Sequence, residues 1–201
     1  MTVRALLSGH AADVAPLLLG ATVTSRVDGR TVAVRLTEVE AYGGVGEDPG
    51  SHAFRRRTAR TASMFGPAGH AYVYFTYGMH WCLNVVTGEP GEAGAVLLRA
   101  GEVVVGADVA RDRRRRADRD RDLARGPARL ATALGVTGAL DGVDLLARRG
   151  PLRLALPAAA ATEVVVTART GVSGAGAGTP WRFHLPAEPS VSPYRPASRR
   201  T

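Results

Sequence analysis

Apolar and polar residues alternate cleanly along one run of the chain. Val32, Val34 and Leu36 are separated by Thr31, Ala33 and Arg35. That period of two predicts a strand with one apolar face. Asp28-Gly29 precedes it and Ala21-Thr22-Val23-Thr24 lies before that, so residues 21–36 predict a hairpin with a two-residue turn. Ahead of the hairpin, residues 12–19 followed by Gly20 predict a short helix, with Asp13 as cap and Gly20 as stop. Carried past Leu36, the same period places Glu38, Glu40 and Tyr42 on the apolar face. Carboxylates are rarely buried without a reason. Two readings stand. Either the stripe runs on into two carboxylates and a phenol, or the strand ends or bulges near Leu36 and both glutamates face solvent.

A second patterned stretch, Tyr72 to Asn84, is rich in aromatic and β-branched residues and broken once, at Tyr77-Gly78. It predicts two strands joined by a tight turn, with Gly78 permitting positive φ. Tyr72 and Tyr74 share a face, and Tyr77 falls at the bend. Three of the five tyrosines and one of the two tryptophans lie between Tyr72 and Trp81, which is unusual for a surface hairpin. Aromatics at a tip and in a wall suit a wedge in a base stack and a seat for an extruded base. Ordinary core packing is the other reading.

Ala95 to Ala100 predicts a strand whose Arg99 either snorkels at an edge or points into a site. Pro127 to Leu134 predicts a helix, with proline at its first position and Gly135 as stop; its N-terminus is suited to a phosphate. Residues 143–146, 152–156, 164–166 and 181–185 predict short strands. Between the elements lie a loop at 43–51 with four glycines and a glycine-rich loop at 169–178.

At 201 residues, 45% hydrophobic and with mean hydropathy near zero, the chain is long enough for one globular domain. Residues 1–188 are expected to form it. The Pro-, Ser- and Arg-rich stretch 189–201 is expected to be a flexible tail. Residues 111–125 carry eight arginines and four aspartates and predict a solvent-exposed or disordered segment with local ion pairs. The net charge of +8 attracts polyanions, nucleic acid foremost. Arg55, Arg57 and Arg60, with Arg56, Thr58 and Thr61, form a basic patch suited to phosphates, or a solvated basic loop.

All 26 basic residues are arginine, so no lysine amine can form a Schiff base. A single cysteine, Cys82, excludes an internal disulfide and a cysteine-built metal site, and the five histidines lack metal-ligand spacing. No metal or organic cofactor is called for. No leader pattern and no apolar run of ~20 residues is present. A cytoplasmic, nucleoid-associated, monomeric protein without membrane contact is expected.

Several motifs occur in order: Val39-Glu40-Ala41-Tyr42, Ser51-His52, Met64-Phe65, Tyr72-Val73-Tyr74, Tyr77-Gly78-Met79 through Asn84, Leu97-Leu98-Arg99-Ala100, Gly126-Pro127 with Leu130 and Ala133-Leu134, and Arg169-Thr170-Gly171-Val172. Jointly they resemble the alkyladenine (3-methyladenine) DNA glycosylase family, over residues 12–185. The resemblance implies a single mixed α/β (α+β) domain: a curved antiparallel β-sheet flanked by helices, with a protruding hairpin that enters the DNA minor groove. It also implies a pocket for one flipped purine. By the same resemblance Glu40 matches the general base that activates water, and Arg99 the residue that helps hold that water. Tyr42 matches one stacking wall for the base, His52 and Tyr74 the opposite wall. Asn84 matches the residue that disfavours the amino group of guanine. Tyr77 matches the intercalating residue, with Gly78 and Met79 beside it on the DNA.

The expected function is therefore monofunctional, hydrolytic excision of alkylated purines from damaged double-stranded DNA in base excision repair, with no lyase step. Deaminated purines are an open second class. The alternative is a basic nucleic-acid-binding module without catalysis, which would have no need of Glu40 beside Arg99.

Overall fold

The computed structural model of the protein describes residues 1–115 and 119–197. Its frame is an antiparallel sheet built from β1 (Thr22–Val27), β2 (Arg30–Tyr42), β3 (Ala71–Thr76), β4 (His80–Val86), β5 (Ala95–Val105), β6 (Leu152–Ala155), β7 (Val165–Thr167) and β8 (Arg182–His184). The strand order is β3-β4-β5-β2-β1-β6, and β8 pairs with β2 while carrying β7 on its other side. Among the described residues four α-helices, α1 (Val3–Leu7), α2 (Ala11–Val14), α3 (Ala107–Arg114) and α4 (Pro127–Leu134), pack around it. This is the mixed α+β domain expected, with an antiparallel sheet flanked by helices. Among the described residues, no helix is long and apolar enough to cross a membrane.

The predicted turn chemistry holds. Asp28 and Gly29 both have positive φ, 54° and 70°, as a mirror-image hairpin turn requires. The α4 helix spans the predicted residues and ends on Gly135 at φ 71°. Its Leu130, Ala131, Ala133 and Leu134 are buried in the main core with Leu83, Val96 and Leu98 of the sheet.

The long strand β2 combines parts of both readings of its pattern. Val32, Val34 and Leu36 belong to the main core, and then Val39 and Ala41 do. The side facing the core therefore switches parity between Leu36 and Val39. Pairing with β5 shifts register on either side of Glu38, the mark of a bulge. The bulge turns Glu38 and Glu40 away from the apolar core, yet both carboxylates remain fully buried. On the other face Arg99 of β5 and Arg182 of β8 reach Glu38, and loops from the last third of the chain bring the Thr170 and Ser192 amides, so the turned residues meet a polar interior instead of solvent.

Four expectations change. The first short helix is divided: α2 gives way to a 3-10 turn at Ala15–Leu18, and its cap is His10, whose Nδ1 accepts from the Ala12 amide, with Asp13 inside the helix. Val143 to Leu146 forms no strand; it meets the sheet through the His70 to Asp144 bridge and through the Ala71 and Leu154 amides, which donate to the Val143 and Leu145 carbonyls, and the Asp144 carboxylate accepts the Leu146 amide. The arginine-rich stretch is largely structured. Its start lies in α3, Arg113 donates to the carbonyls of Val27 and Ala133, and Leu123 and Ala124 are buried, while the expected exposure and local ion pairs hold at Arg111 with Asp120 and, for the pairing, at Arg125 with Asp122; residues 116–118 lie outside the described residues. The stretch expected to be a loose tail from 189 is packed at its start, with Ser190 and Ser192 buried and bonded to the sheet, while residues 198–201 lie outside the described residues.

Candidate active site

A cavity of about 340 Å3 opens at the base of the β3–β4 hairpin. Its wall includes Tyr42, His52, Tyr74, Asn84 and Arg99, which sequence reasoning singled out, and Tyr77 stands at its edge. The chain brings them together from five places. Tyr42 ends β2, His52 follows the loop at 43–51, Tyr74 comes from β3 and Asn84 from β4, where they lie opposite Cys82 and Tyr72, and Arg99 comes from β5.

The aromatic walls are set by packing. The rings of His52 and Tyr74 meet edge to face at 4.7 Å, and Tyr72 and Tyr74 lie tilted at 5.5 Å. His52 Nδ1 is 3.2 Å from the Tyr72 hydroxyl. Burial, helped by the Arg60 charge, lowers the His52 pKa, so the imidazole favours its neutral form. Also in the wall is Tyr42, whose ring centre lies 4.7 Å from the Arg169 guanidinium. Asn84 Nδ2 donates to the Tyr72 carbonyl at 2.9 Å, which fixes which end of the amide is which.

Glu40 lies directly behind this wall, fully buried, and bonds three of the groups that line the cavity. Oε2 accepts from the Tyr42 hydroxyl at 2.9 Å and from Arg99 Nη1 at 3.2 Å, and Oε1 accepts from the Thr170 amide at 2.6 Å. Burial pushes the Glu40 pKa up. Arg99, the Thr170 amide and the Tyr42 hydroxyl pull it down without cancelling that rise. Arg99 favours the charged form of Glu40, but it is outweighed.

The reason is that Arg99 is shared. Its Nε donates to Glu38 at 2.8 Å, and Arg182 Nε donates to the same Glu38 oxygen at 2.7 Å. Two guanidinium groups thus face two carboxylates, with both of them on Glu38. Burial raises the Glu38 pKa, but Arg99 and Arg182 outweigh it, and the carboxyl is held below its ordinary value. Two buried glutamates two residues apart are pushed in opposite directions by unequal partners.

A second buried pair braces the loop over the site. Asp48 accepts from Arg169 at 2.6 and 2.7 Å, and its oxygens also cap the amides of Gly43 and Gly50. Burial raises the Asp48 pKa, and Arg169 with the two amides brings it below its usual value. Sequence reasoning missed Glu38 as a site residue, and also Asp48, Arg169, Arg182, Ser192 and the Thr170 amide. Burial of Glu38 was one of the two readings left open by the alternation of β2; a backbone amide and an ion pair spanning 121 positions leave no local signal.

The remaining expected residues lie at the rim of the cavity or beyond it. Tyr77 is 82% and Met79 68% exposed at the hairpin tip. Tyr77 and Gly78 have φ of 52° and 64°, and the Met79 amide closes the turn onto the Thr76 carbonyl. Positive φ suits glycine and strains a tyrosine. Arg55 and Arg57 are exposed on the segment leading into the 3-10 turn Ala59–Phe65, and Arg60 is exposed within that turn. Arg57 lies 5.5 Å from the Phe65 ring and Arg60 5.6 Å from the Tyr74 ring, so the patch borders the cavity wall. Among the described residues, no three His, Cys, Asp or Glu side chains gather as a metal cage.

Residues 5–189 match the family described as methylpurine-DNA glycosylase. A Streptomyces avermitilis protein provisionally named 3-methyladenine DNA glycosylase is 55% identical over 194 residues, covering 94% of this chain and 91% of that protein. Proteins with the same provisional name from Leifsonia xyli and Nocardia farcinica are 55% and 54% identical, covering 92% and 90% of this chain and 90% and 86% of their own lengths.

Proposed function

The chain belongs to the methylpurine-DNA glycosylase family, and from that premise we propose that it excises alkylated purines from duplex DNA by hydrolysis, with Glu40 as the base that activates water. Deaminated purines are a second substrate class under the same reading. The observation that carries it is the Glu40 carboxylate, fully buried against Arg99 and bonded to three groups that line the aromatic cavity.

A base inside a duplex cannot be reached, so extrusion precedes chemistry at a cost of a few kcal/mol. Tyr77 projects from the hairpin tip and is the side chain proposed to occupy the gap. Stacking of this kind is worth roughly 1–3 kcal/mol per base, which offsets part of that cost. Arg55, Arg57 and Arg60 are proposed to hold phosphates, and Gly78 and Met79 to follow the groove beside Tyr77. Alkylated purines pair poorly, flip more easily, and leave well because many carry positive charge. Tyr42 on one side and His52 with Tyr74 on the other offer π faces suited to such a cation. A neutral His52 avoids repelling it. Asn84, in the cavity wall, is proposed to disfavour the amino group of guanine.

Breaking the glycosidic bond puts positive charge on the sugar, which a carboxylate stabilises while it accepts a proton from water. An ionised carboxylate has about four acceptor sites. Three on Glu40 are filled by Tyr42, Arg99 and Thr170, which leaves one for water. The raised pKa makes Glu40 a stronger base than an ordinary glutamate. With no lysine in the chain to form a Schiff base, the abasic sugar is the product and no lyase step follows.

The test is direct. The protein, without added metal, is incubated with duplexes that each hold one modified purine, and abasic sites are scored. Release of alkylated bases with an intact sugar-phosphate backbone is expected. No release from any duplex, or strand cleavage accompanying release, contradicts the proposal.

A further inference from the structure

The C-terminal stretch does more than cover the sheet. Ser190 Oγ bonds Thr37 Oγ1, at the bulge of β2, at 2.9 Å. The Val191 carbonyl accepts from Arg125 Nε and the Ser192 carbonyl from Arg182 Nη2, each at 2.9 Å. The Arg195 carbonyl accepts from the Gly171 amide at 3.0 Å, in the loop that lines the cavity. Residues 190–195 thus form a strap anchored on β2, on β8 and on the cavity loop. The strap lies beyond residue 189, where the family match ends.

At the centre of the strap is Ser192, buried against the two ion-paired glutamates' shared arginine. Its amide donates to Glu38 Oε2 at 2.7 Å, and its hydroxyl is 2.9 Å from Glu38 Oε1 and 3.3 Å from Arg99 Nη2. A serine hydroxyl has one proton to give and lone pairs to accept with. Glu38 can only accept and Arg99 can only donate, so the hydroxyl donates to Glu38 and accepts from Arg99. Each nitrogen of the Arg99 guanidinium then has one partner: Nε on Glu38, Nη1 on Glu40, Nη2 on Ser192. The group is planar and rigid, so three separate ties fix both its plane and its rotation.

We propose that Ser192 is a positioning residue for Arg99, its hydroxyl setting the guanidinium so that Nη1 stays on Glu40. The inference rests on Glu40 being the base. Ser192 touches neither substrate nor water; it acts through Arg99 and Glu38. The charged and titratable groups around Glu40 are Arg99 on β5, Tyr42 and Glu38 on β2 and Arg169 ahead of the cavity loop, with Arg182 on β8 reaching Glu38. Of these, Arg99 is the one whose aim Ser192 sets. Loosening that aim weakens the strongest force that favours ionised Glu40.

The experiment compares wild type, Ser192→Ala, Ser190→Ala and Glu40→Gln in single-turnover release of one modified purine from a duplex across pH, with affinity for abasic-site DNA measured in parallel. Ser192→Ala is expected to slow release on the order of tenfold or more, as misplacement in a site does. Its affinity is expected to stay the same, and the acid limb of its pH–rate profile to move to higher pH. Ser190→Ala loosens the strap without touching Arg99, and its acid limb is expected to stay in place. If Ser192→Ala is not recovered folded, Ser192→Cys keeps the shape with weaker hydrogen bonds and must move the limb the same way. An unmoved limb in the Ser192 variant, or an equal shift in Ser190→Ala, overturns the inference while an inactive Glu40→Gln leaves the base assignment standing. An active Glu40→Gln overturns both.

Discussion

Arg169 and Asp48, 121 positions apart in the chain, close a two-pronged ion pair in which neither side chain is more than 1% exposed. The pair joins the loop after β2 to the segment before the cavity loop, and Arg169 lies against the Tyr42 ring while it does so.

Removing one partner of such a pair leaves a buried charge without compensation. Asp48→Ala is expected to destabilise the fold by about 3–5 kcal/mol, as loss of one member of a buried pair does. Urea unfolding checks this. A change under 1 kcal/mol would mean that water or another group replaces Asp48.

Glu38 gives the fold a pH dependence. Its folded pKa lies below its unfolded value because Arg99 and Arg182 overcome burial. Its contribution to stability is therefore complete above the unfolded value of about 4.3. It is lost as pH falls through the lower folded value. Wild type is expected to be more stable than Glu38→Gln at neutral pH, with the gap narrowing below pH ~4. Thermal unfolding across pH measures it, and a gap that is constant down to strong acid contradicts the assignment.

Tyr77 stands in a backbone conformation that asparagine or glycine adopts more easily. Relief of that strain is worth about 1 kcal/mol. Tyr77→Asn is thus expected to keep or raise the thermal midpoint while it weakens binding to abasic-site DNA more than to undamaged duplex. A lower midpoint, or equal loss on both DNAs, argues that the ring serves the hairpin itself. Strain held at an exposed tip fits a residue kept for what it binds.

The parts of the fold governed by local rules were legible in the sequence. Asp28-Gly29, Tyr77-Gly78 and Pro127 with Gly135 each punctuate an element through φ preferences written in two or three residues. The cavity residues were legible by family resemblance. What the sequence hid was the surroundings of Glu38 and Glu40. The bulge of β2 reverses the face, and the burial of both carboxylates depends on β8, the 170–173 loop and Ser192, over a hundred positions away. The same distance hid the strap: a stretch rich in proline, serine and arginine reads as loose because its partners are buried charges from other strands.

The most direct measurement is single-turnover base release from a duplex holding one alkylated purine, for wild type and for Glu40→Gln, with binding to abasic-site DNA measured on both. The account predicts that the variant binds as wild type does and releases base slower by a factor on the order of 10²–10⁴. Release at the wild-type rate by Glu40→Gln would contradict it.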